Sequence, residues 1–194
     1  MKMNLPNKIT MVRIFLIPVL MFFYMASFIP CGKIIALALF IIASVTDFLD
    51  GYIARKYNLV TDFGKFADTI SDKMLTFSAL FMFMVDGTLP APYGVIFATM
   101  CLARDLIVLG LKSLVSAKGT VVGSVKIGKI KFFVSLLAYP FGFLVAILNS
   151  FAVTGTVLLV FQIAFYVLMG VTAALTFYSG VVYLITYKDV FKEV

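Results

Sequence analysis

Apolar residues fall in six long runs, at about residues 11–29, 34–57, 63–85, 93–115, 132–148 and 156–186. The breaks between them are short and carry turn residues: Pro30 and Gly32 in the first, Asp86, Gly87, Pro90 and Pro92 in another, residues 149–155 in the last. Each run has about the length, roughly 17–25 residues, that a helix needs to cross about 30 Å of hydrocarbon. The sixth exceeds it, which predicts a tilt or a protruding end. The pattern predicts an all-α integral membrane fold of six transmembrane helices. A short N-terminal interfacial segment over residues 1–11, carrying Lys2 and Lys8, precedes the first span. It does not read as a cleavable signal, because no small-residue cleavage site follows. No repeat and no linker divides the chain, so residues 1–194 are expected to form one domain.

Composition agrees with the pattern. Hydrophobic residues make up 63% of the chain and charged residues 13%, against about 45–50% and about 25% in soluble domains. A water-soluble domain, a disordered chain and a disulfide scaffold are excluded. Cys31 and Cys101 stand far apart among apolar residues, and there is no histidine. Cys/His zinc sites and histidine bases are therefore excluded as well. The net charge of +7 is distributed unevenly. With six spans, Lys2, Lys8, Arg13, Arg55, Lys56, Lys65, Lys118, Lys126, Lys129, Lys131, Lys188 and Lys192 fall at one end, and only Lys33 at the other. The positive-inside rule then places both termini on the cytoplasmic side of a cell membrane.

The apolar pattern fails in one place. Runs two and three contain Asp47, Asp50, Asp68 and Asp72, and each ionisable residue at mid-bilayer costs about 2.5–3.5 kcal/mol. Asp47, Asp50, Gly51 and Ala54 share one helical face, and Gly64, Asp68 and Asp72 share another. A short connection makes the two helices antiparallel neighbours, so the acidic faces can meet. Oxygen-only donors select hard cations such as Mg²⁺, Mn²⁺ or Ca²⁺, and two divalent ions would balance four carboxylates. The small residues leave room for close helix approach or for a bulky ligand.

The string Asp47-x-x-Asp50-Gly51-x-x-Ala54-Arg55, eight further residues, then Gly64-x-x-x-Asp68-x-x-x-Asp72, resembles position for position the signature of the CDP-alcohol phosphotransferases. The resemblance implies transfer of a phosphatidyl or similar group from a CDP-linked donor to an alcohol, with release of CMP. It implies two divalent cations, Mg²⁺ or Mn²⁺, on Asp47, Asp50, Asp68 and Asp72, with Asp72 also the general base. It implies a CDP-donor surface made by Gly51, Ala54, Arg55 and Gly64, with Thr46 a further candidate by position.

The acceptor is read from a narrower resemblance. Asn4-Leu5-Pro6-Asn7-Lys8-Ile9-Thr10-x-x-Arg13, Asp72-Lys73-Met74-Leu75, Arg104-Asp105-Leu106-Ile107-Val108 and Lys126-x-Gly128-Lys129-x-Lys131 are similar to the phosphatidylglycerophosphate synthases. Asp105 stands where that group has Glu, and Lys112 where an arginine is expected. The similarity implies CDP-diacylglycerol and glycerol 3-phosphate as substrates and phosphatidylglycerophosphate and CMP as products, in a homodimer embedded in a lipid bilayer and with no nucleic-acid partner. Arg104, Lys112, Lys129 and Lys131 would hold the acceptor phosphate, and the charge balance alone also favours a phosphorylated acceptor. The resemblance covers about residues 4–131, and the last two spans match only in hydrophobicity. Rival readings are an inositol phosphate, serine or phosphatidyl-lipid acceptor, a silent CDP-lipid binder, and a cation transporter with its aspartates along a pathway.

Overall fold

The computed structural model describes residues 4–117 and 126–187; the side chains of Ser116, Ala117, Lys126 and Lys129 lie outside the description. Lys2, Lys118, Lys188 and Lys192, used above for orientation, also lie outside it. Among the described residues the chain forms six helices and no strand: α1 (Leu5–Met25), α2 (Gly32–Lys56), α3 (Asp62–Val85), α4 (Ala91–Ala117), α5 (Lys126–Ser150) and α6 (Thr156–Thr186). Each helix corresponds to one of the apolar runs, α1 and α5 beginning about six residues earlier, because in hydrocarbon the backbone must satisfy its own hydrogen bonds and a continuous helix does so. Five are long and apolar enough to cross a membrane. The exception, α3, is as long at 24 residues, but its first half carries Asp62, Lys65, Asp68, Asp72 and Lys73. The protein is a multi-pass membrane protein.

At the start of the chain, α1 begins at Leu5 and runs unbroken to Met25, so the N-terminal segment and the first span are one continuous helix among the described residues. Pro6 lies in its first turn, where a missing N–H costs nothing. Asn7, Thr10 and Arg13 then fall at intervals of three on one buried face, so this stretch belongs to the bundle.

The helices pack as two groups of three. α1 lies against α2 and α3, and α6 lies against α5 and α4; α2 on α5, α3 on α4 and α3 on α5 join the groups. Aromatic rings fill the seam. Phe143 of α5 meets Tyr24 at 5.5 Å, Phe40 at 5.1 Å and Phe83 at 5.2 Å, and Phe83 meets Phe165 at 5.5 Å. These are mostly edge-on contacts, the geometry that aromatic quadrupoles favour. Gly142 is required there, since a Cβ would stand 2.6 Å from the Phe83 ring. Outward faces remain apolar, as at Phe15, Phe48, Val85 and Phe177, which suits lipid contact.

Six antiparallel spans bring the beginnings of α1, α3 and α5 to the same end as the last turns of α2, α4 and α6. The opposite end is closed by a small polar latch. Asp86 accepts from Tyr24 Oη at 2.6 Å and from Lys33 Nζ at 2.9 Å, and its other oxygen accepts from the Thr88 amide at 2.9 Å.

Candidate active site

At the polar end, α2 and α3 bring Asp47, Asp50, Asp68 and Asp72 to one region, and α1 adds a cation that the acidic motif does not contain. Arg13, with its side chain wholly buried, bonds Asp47 Oδ1 through Nη1 and Asp50 Oδ2 through Nη2 at 2.6 Å. The same Nη1 reaches Ser71 Oγ at 2.9 Å and lies 3.5 Å from Asp68 Oδ1. Thr10 donates to Asp50 Oδ2 at 3.0 Å. Arg13 Nε is buried without a partner among the described residues, an arrangement costing about 1–3 kcal/mol. The attraction of the carboxylates outweighs that cost. Bonding at Asp47 Oδ1 and Asp50 Oδ2 leaves the second oxygen of each without a hydrogen bond among the described residues.

The carboxylates lie between two hollows. Asp50 and Asp68 line a cavity of about 270 Å³ together with Gly51, Ala54, Arg55, Gly64, Asn7 and Thr10. Asp47 and Asp72 line a smaller one of about 40 Å³ toward α5, with Ser44, Thr76, Ser135 and Tyr139. All four of the motif positions expected on the donor surface (Gly51, Ala54, Arg55 and Gly64) therefore border one cavity. Thr46 does not: its hydroxyl bonds the carbonyls of Ile42 and Ala43 in its own helix, and it is not among the residues of that wall.

The cavity rim is built locally. Thr61 caps α3 by accepting from the Gly64 amide at 3.0 Å. Asn7 Nδ2 donates to the same hydroxyl at 3.0 Å, which ties α1 to the start of α3. A Cβ on Gly64 would stand 2.5 Å from Asn7 Oδ1, so the tie and the glycine require each other. The Arg55 guanidinium lies across Gly51, about 3.6 Å from where a Cβ would be.

A second charged centre lies where α3, α4, α5 and α6 meet. Asp105 Oδ1 pairs with Arg104 Nη1 at 2.9 Å and with Lys131 Nζ at 3.7 Å, and Asp105 Oδ2 pairs with Lys73 Nζ at 3.0 Å. Lys73 also bonds Asp72 Oδ2 at 3.0 Å, which links the two centres. Arg104 is fixed from α6: Nε donates to Ser179 Oγ at 3.0 Å, and the guanidinium lies 5.4 Å from the Tyr183 ring. Lys112 Nζ lies 6.0 Å from the same ring. Arg104 and Lys112 thus share the Tyr183 ring, and Arg104 and Lys131 share Asp105; the side chain of Lys129 lies outside the described residues.

The structure adds residues that the motif reading did not assign. Thr10 and Arg13 bond the carboxylates, Ser71 holds Arg13, and Asn7 ties α1 to Thr61 at the cavity rim; Ser179 and Tyr183 support Arg104. For α1 the signal was available: three polar residues at intervals of three in an apolar helix must face something polar. For α6 nothing marked Ser179 and Tyr183 apart from other small or aromatic residues of a membrane span.

The carboxylates supply oxygen only, which fits a hard divalent cation, and unbonded oxygens on Asp47 and Asp50 are available to one. No group of three acidic side chains among the described residues is already converged as an ion site; the Arg13 guanidinium holds the position of shared counter-charge. The residues fit such ions by chemistry.

The chain is also similar in sequence to known proteins. The profile of the CDP-alcohol phosphatidyltransferase family matches residues 3–182. The chain is 40% identical over 146 residues, 70% of its length and 74% of the relative's, to a Bacillus subtilis protein named CDP-diacylglycerol–glycerol-3-phosphate 3-phosphatidyltransferase. A Rickettsia bellii protein of the same name is 34% identical over 97% of each chain. A Mycobacterium tuberculosis protein named probable phosphatidylglycerophosphate synthase is 37% identical over 70% of this chain and 63% of its own.

Proposed function

The chain belongs to the CDP-alcohol phosphatidyltransferase family, and we propose that it is a CDP-diacylglycerol–glycerol-3-phosphate 3-phosphatidyltransferase of phospholipid biosynthesis. It transfers the phosphatidyl group of CDP-diacylglycerol to glycerol 3-phosphate and releases CMP. The observation that carries this reading is the carboxylate cluster between the cavity lined by the motif residues and a cationic centre, joined through the neighbouring residues Asp72 and Lys73.

The donor's cytidine and pyrophosphate occupy the cavity walled by Gly51, Ala54, Arg55 and Gly64, with the acyl chains in the surrounding lipid. Divalent cations are general to the family; here two, Mg²⁺ or Mn²⁺, held by Asp47, Asp50, Asp68 and Asp72, would neutralise the pyrophosphate and stabilise the leaving phosphate. Arg104, Lys112, Lys129 and Lys131 hold the acceptor's phosphate, and Lys73 lies between that group and Asp72. Asp72 takes the proton of the acceptor's free hydroxyl. The hydroxyl oxygen bonds the donor's lipid-side phosphorus, and the bond from that phosphorus to the bridging oxygen breaks as CMP leaves. Residues 1–194 act as one domain.

Orientation and assembly complete the proposal. Lys8, Arg55, Lys56, Lys65, Lys73, Arg104, Lys112 and Lys131 lie at the site end, and Lys33 at the other. By the positive-inside rule the site and both termini face the cytoplasm, where acceptor and CMP are soluble. A homodimer is supported by exposed Gly170 and Ala174 on one face of α6.

The test is release of CMP by the purified protein given CDP-diacylglycerol, Mg²⁺ and a panel of alcohols. Release with glycerol 3-phosphate is expected. Release only with serine or an inositol phosphate overturns the acceptor, and no release with any alcohol overturns the enzyme.

A further inference from the structure

Among the described residues Arg13 is the one fully buried cation, it stands in a group of carboxylates, and it comes from a helix outside the acidic motif. It holds Asp47 and Asp50 through one oxygen each, approaches Asp68, and is steadied by Ser71. Four carboxylates inside a bilayer without any counter-charge would repel one another and carry a large desolvation cost. One guanidinium meets three of them at once because its planar fork offers several donors in fixed directions. Its Nε has no partner among the described residues, so its position answers to the carboxylates and not to its own full set of hydrogen bonds.

We propose that Arg13 is a resident counter-cation, a positioning residue that keeps the carboxylate cluster assembled without divalent ions and that those ions must outcompete. The inference rests on the reading that Asp47, Asp50, Asp68 and Asp72 hold divalent cations. Its consequence is thermodynamic. Any stability that Arg13 gives to the ion-free cluster beyond what it gives to the loaded one must be returned as tighter ion binding when Arg13 is removed. A residue that merely packs would shift both states equally. A residue that only orients the ligands for the ions would weaken ion binding on removal. The device lets the protein insert, fold and lose its ions reversibly.

The experiment uses the full chain in lipid nanodiscs and two readouts: unfolding temperature in chelator and in Mn²⁺, and Mn²⁺ affinity from the paramagnetic signal of the free ion. The wild type is expected to keep its unfolding temperature in chelator within a few degrees of that in Mn²⁺. Arg13→Gln is expected to lose stability in chelator, to recover most of it in Mn²⁺, and to bind Mn²⁺ about tenfold more tightly. Arg13→Gln combined with Asp50→Asn, which removes one opposite charge from each side, should regain stability in chelator. Equal losses with and without Mn²⁺, or weaker Mn²⁺ binding by Arg13→Gln, would overturn the proposal while the ion site stands. If Arg13→Gln fails to fold even in Mn²⁺ and the double variant does not rescue it, the proposal is overturned too. Absence of Mn²⁺ binding by the wild type, or binding unaffected by Asp68→Asn and Asp47→Asn, would instead remove the ion-site reading beneath it.

Discussion

The two charged centres of this protein are mirror images. In the half made by α1, α2 and α3, one buried cation, Arg13, is shared by Asp47, Asp50 and Asp68. In the half made by α4, α5 and α6, one carboxylate, Asp105, is shared by Arg104, Lys131 and Lys73, the last reaching across from α3. Each centre gathers several charges of one sign around a single opposite charge. The excess charge is negative at one centre and positive at the other. A low-dielectric surrounding makes both excesses strong and makes the single counter-charge necessary. Lys73, bonded to both Asp72 and Asp105, is the point at which the two halves meet.

The comparison is broken most severely at Asp72. Asp72→Asn should lower kcat by about 10²–10⁴-fold if it is the base, with acceptor KM little changed; steady-state CMP release checks this, and a kcat within a fewfold of wild type would remove Asp72 from that role. Arg104→Lys comes next. The substituted ammonium loses the fork that joins Ser179, Asp105 and the Tyr183 face, so acceptor KM should rise about tenfold or more while CDP-diacylglycerol KM stays put. A rise in both would mean that the cations do not belong to the acceptor alone.

A smaller effect sharpens the mirror itself. Asp105→Asn frees Lys73 to close on Asp72 alone, which weakens Asp72 as a base. A kcat loss of about tenfold is expected with an acceptor KM shift under about threefold, and Asp105→Glu should restore most of the rate. A dominant rise in KM would instead make Asp105 an organiser of the phosphate pocket only. The least effect on catalysis is expected far from both centres. Tyr24→Phe removes one hydrogen bond to Asp86 at the opposite end, so the unfolding midpoint should fall by about 2–6 °C with turnover unchanged.

Much of this was legible along the chain. The six apolar runs are the six helices, because a backbone in hydrocarbon has few other ways to satisfy its hydrogen bonds. The four aspartates stood out because charge in a span is costly, and their spacing put them on two facing helices. Gly51, Ala54, Arg55 and Gly64 were legible by motif, and they share one cavity wall. Thr46, chosen from position alone, bonds its own helix instead. The first eleven residues read as interfacial because Lys2 and Lys8 precede the first apolar run; what that reading could not show is that Asn7, Thr10 and, just beyond, Arg13 turn inward in the bundle.

Sequence alone therefore determined the number of spans, the family and the intramembrane carboxylates, since each is local: hydropathy over one run, or spacing along one or two adjacent helices. Tertiary structure decided which single charge stands at the middle of each centre. Arg13 lies 34 residues from Asp47 and 58 from Ser71, and Arg104 lies 75 from Ser179. Partners so distant in the chain become neighbours only when six helices pack. The choice among them is made by the cost of leaving any buried charge alone, a quantity that belongs to the assembled bundle and to no segment of it.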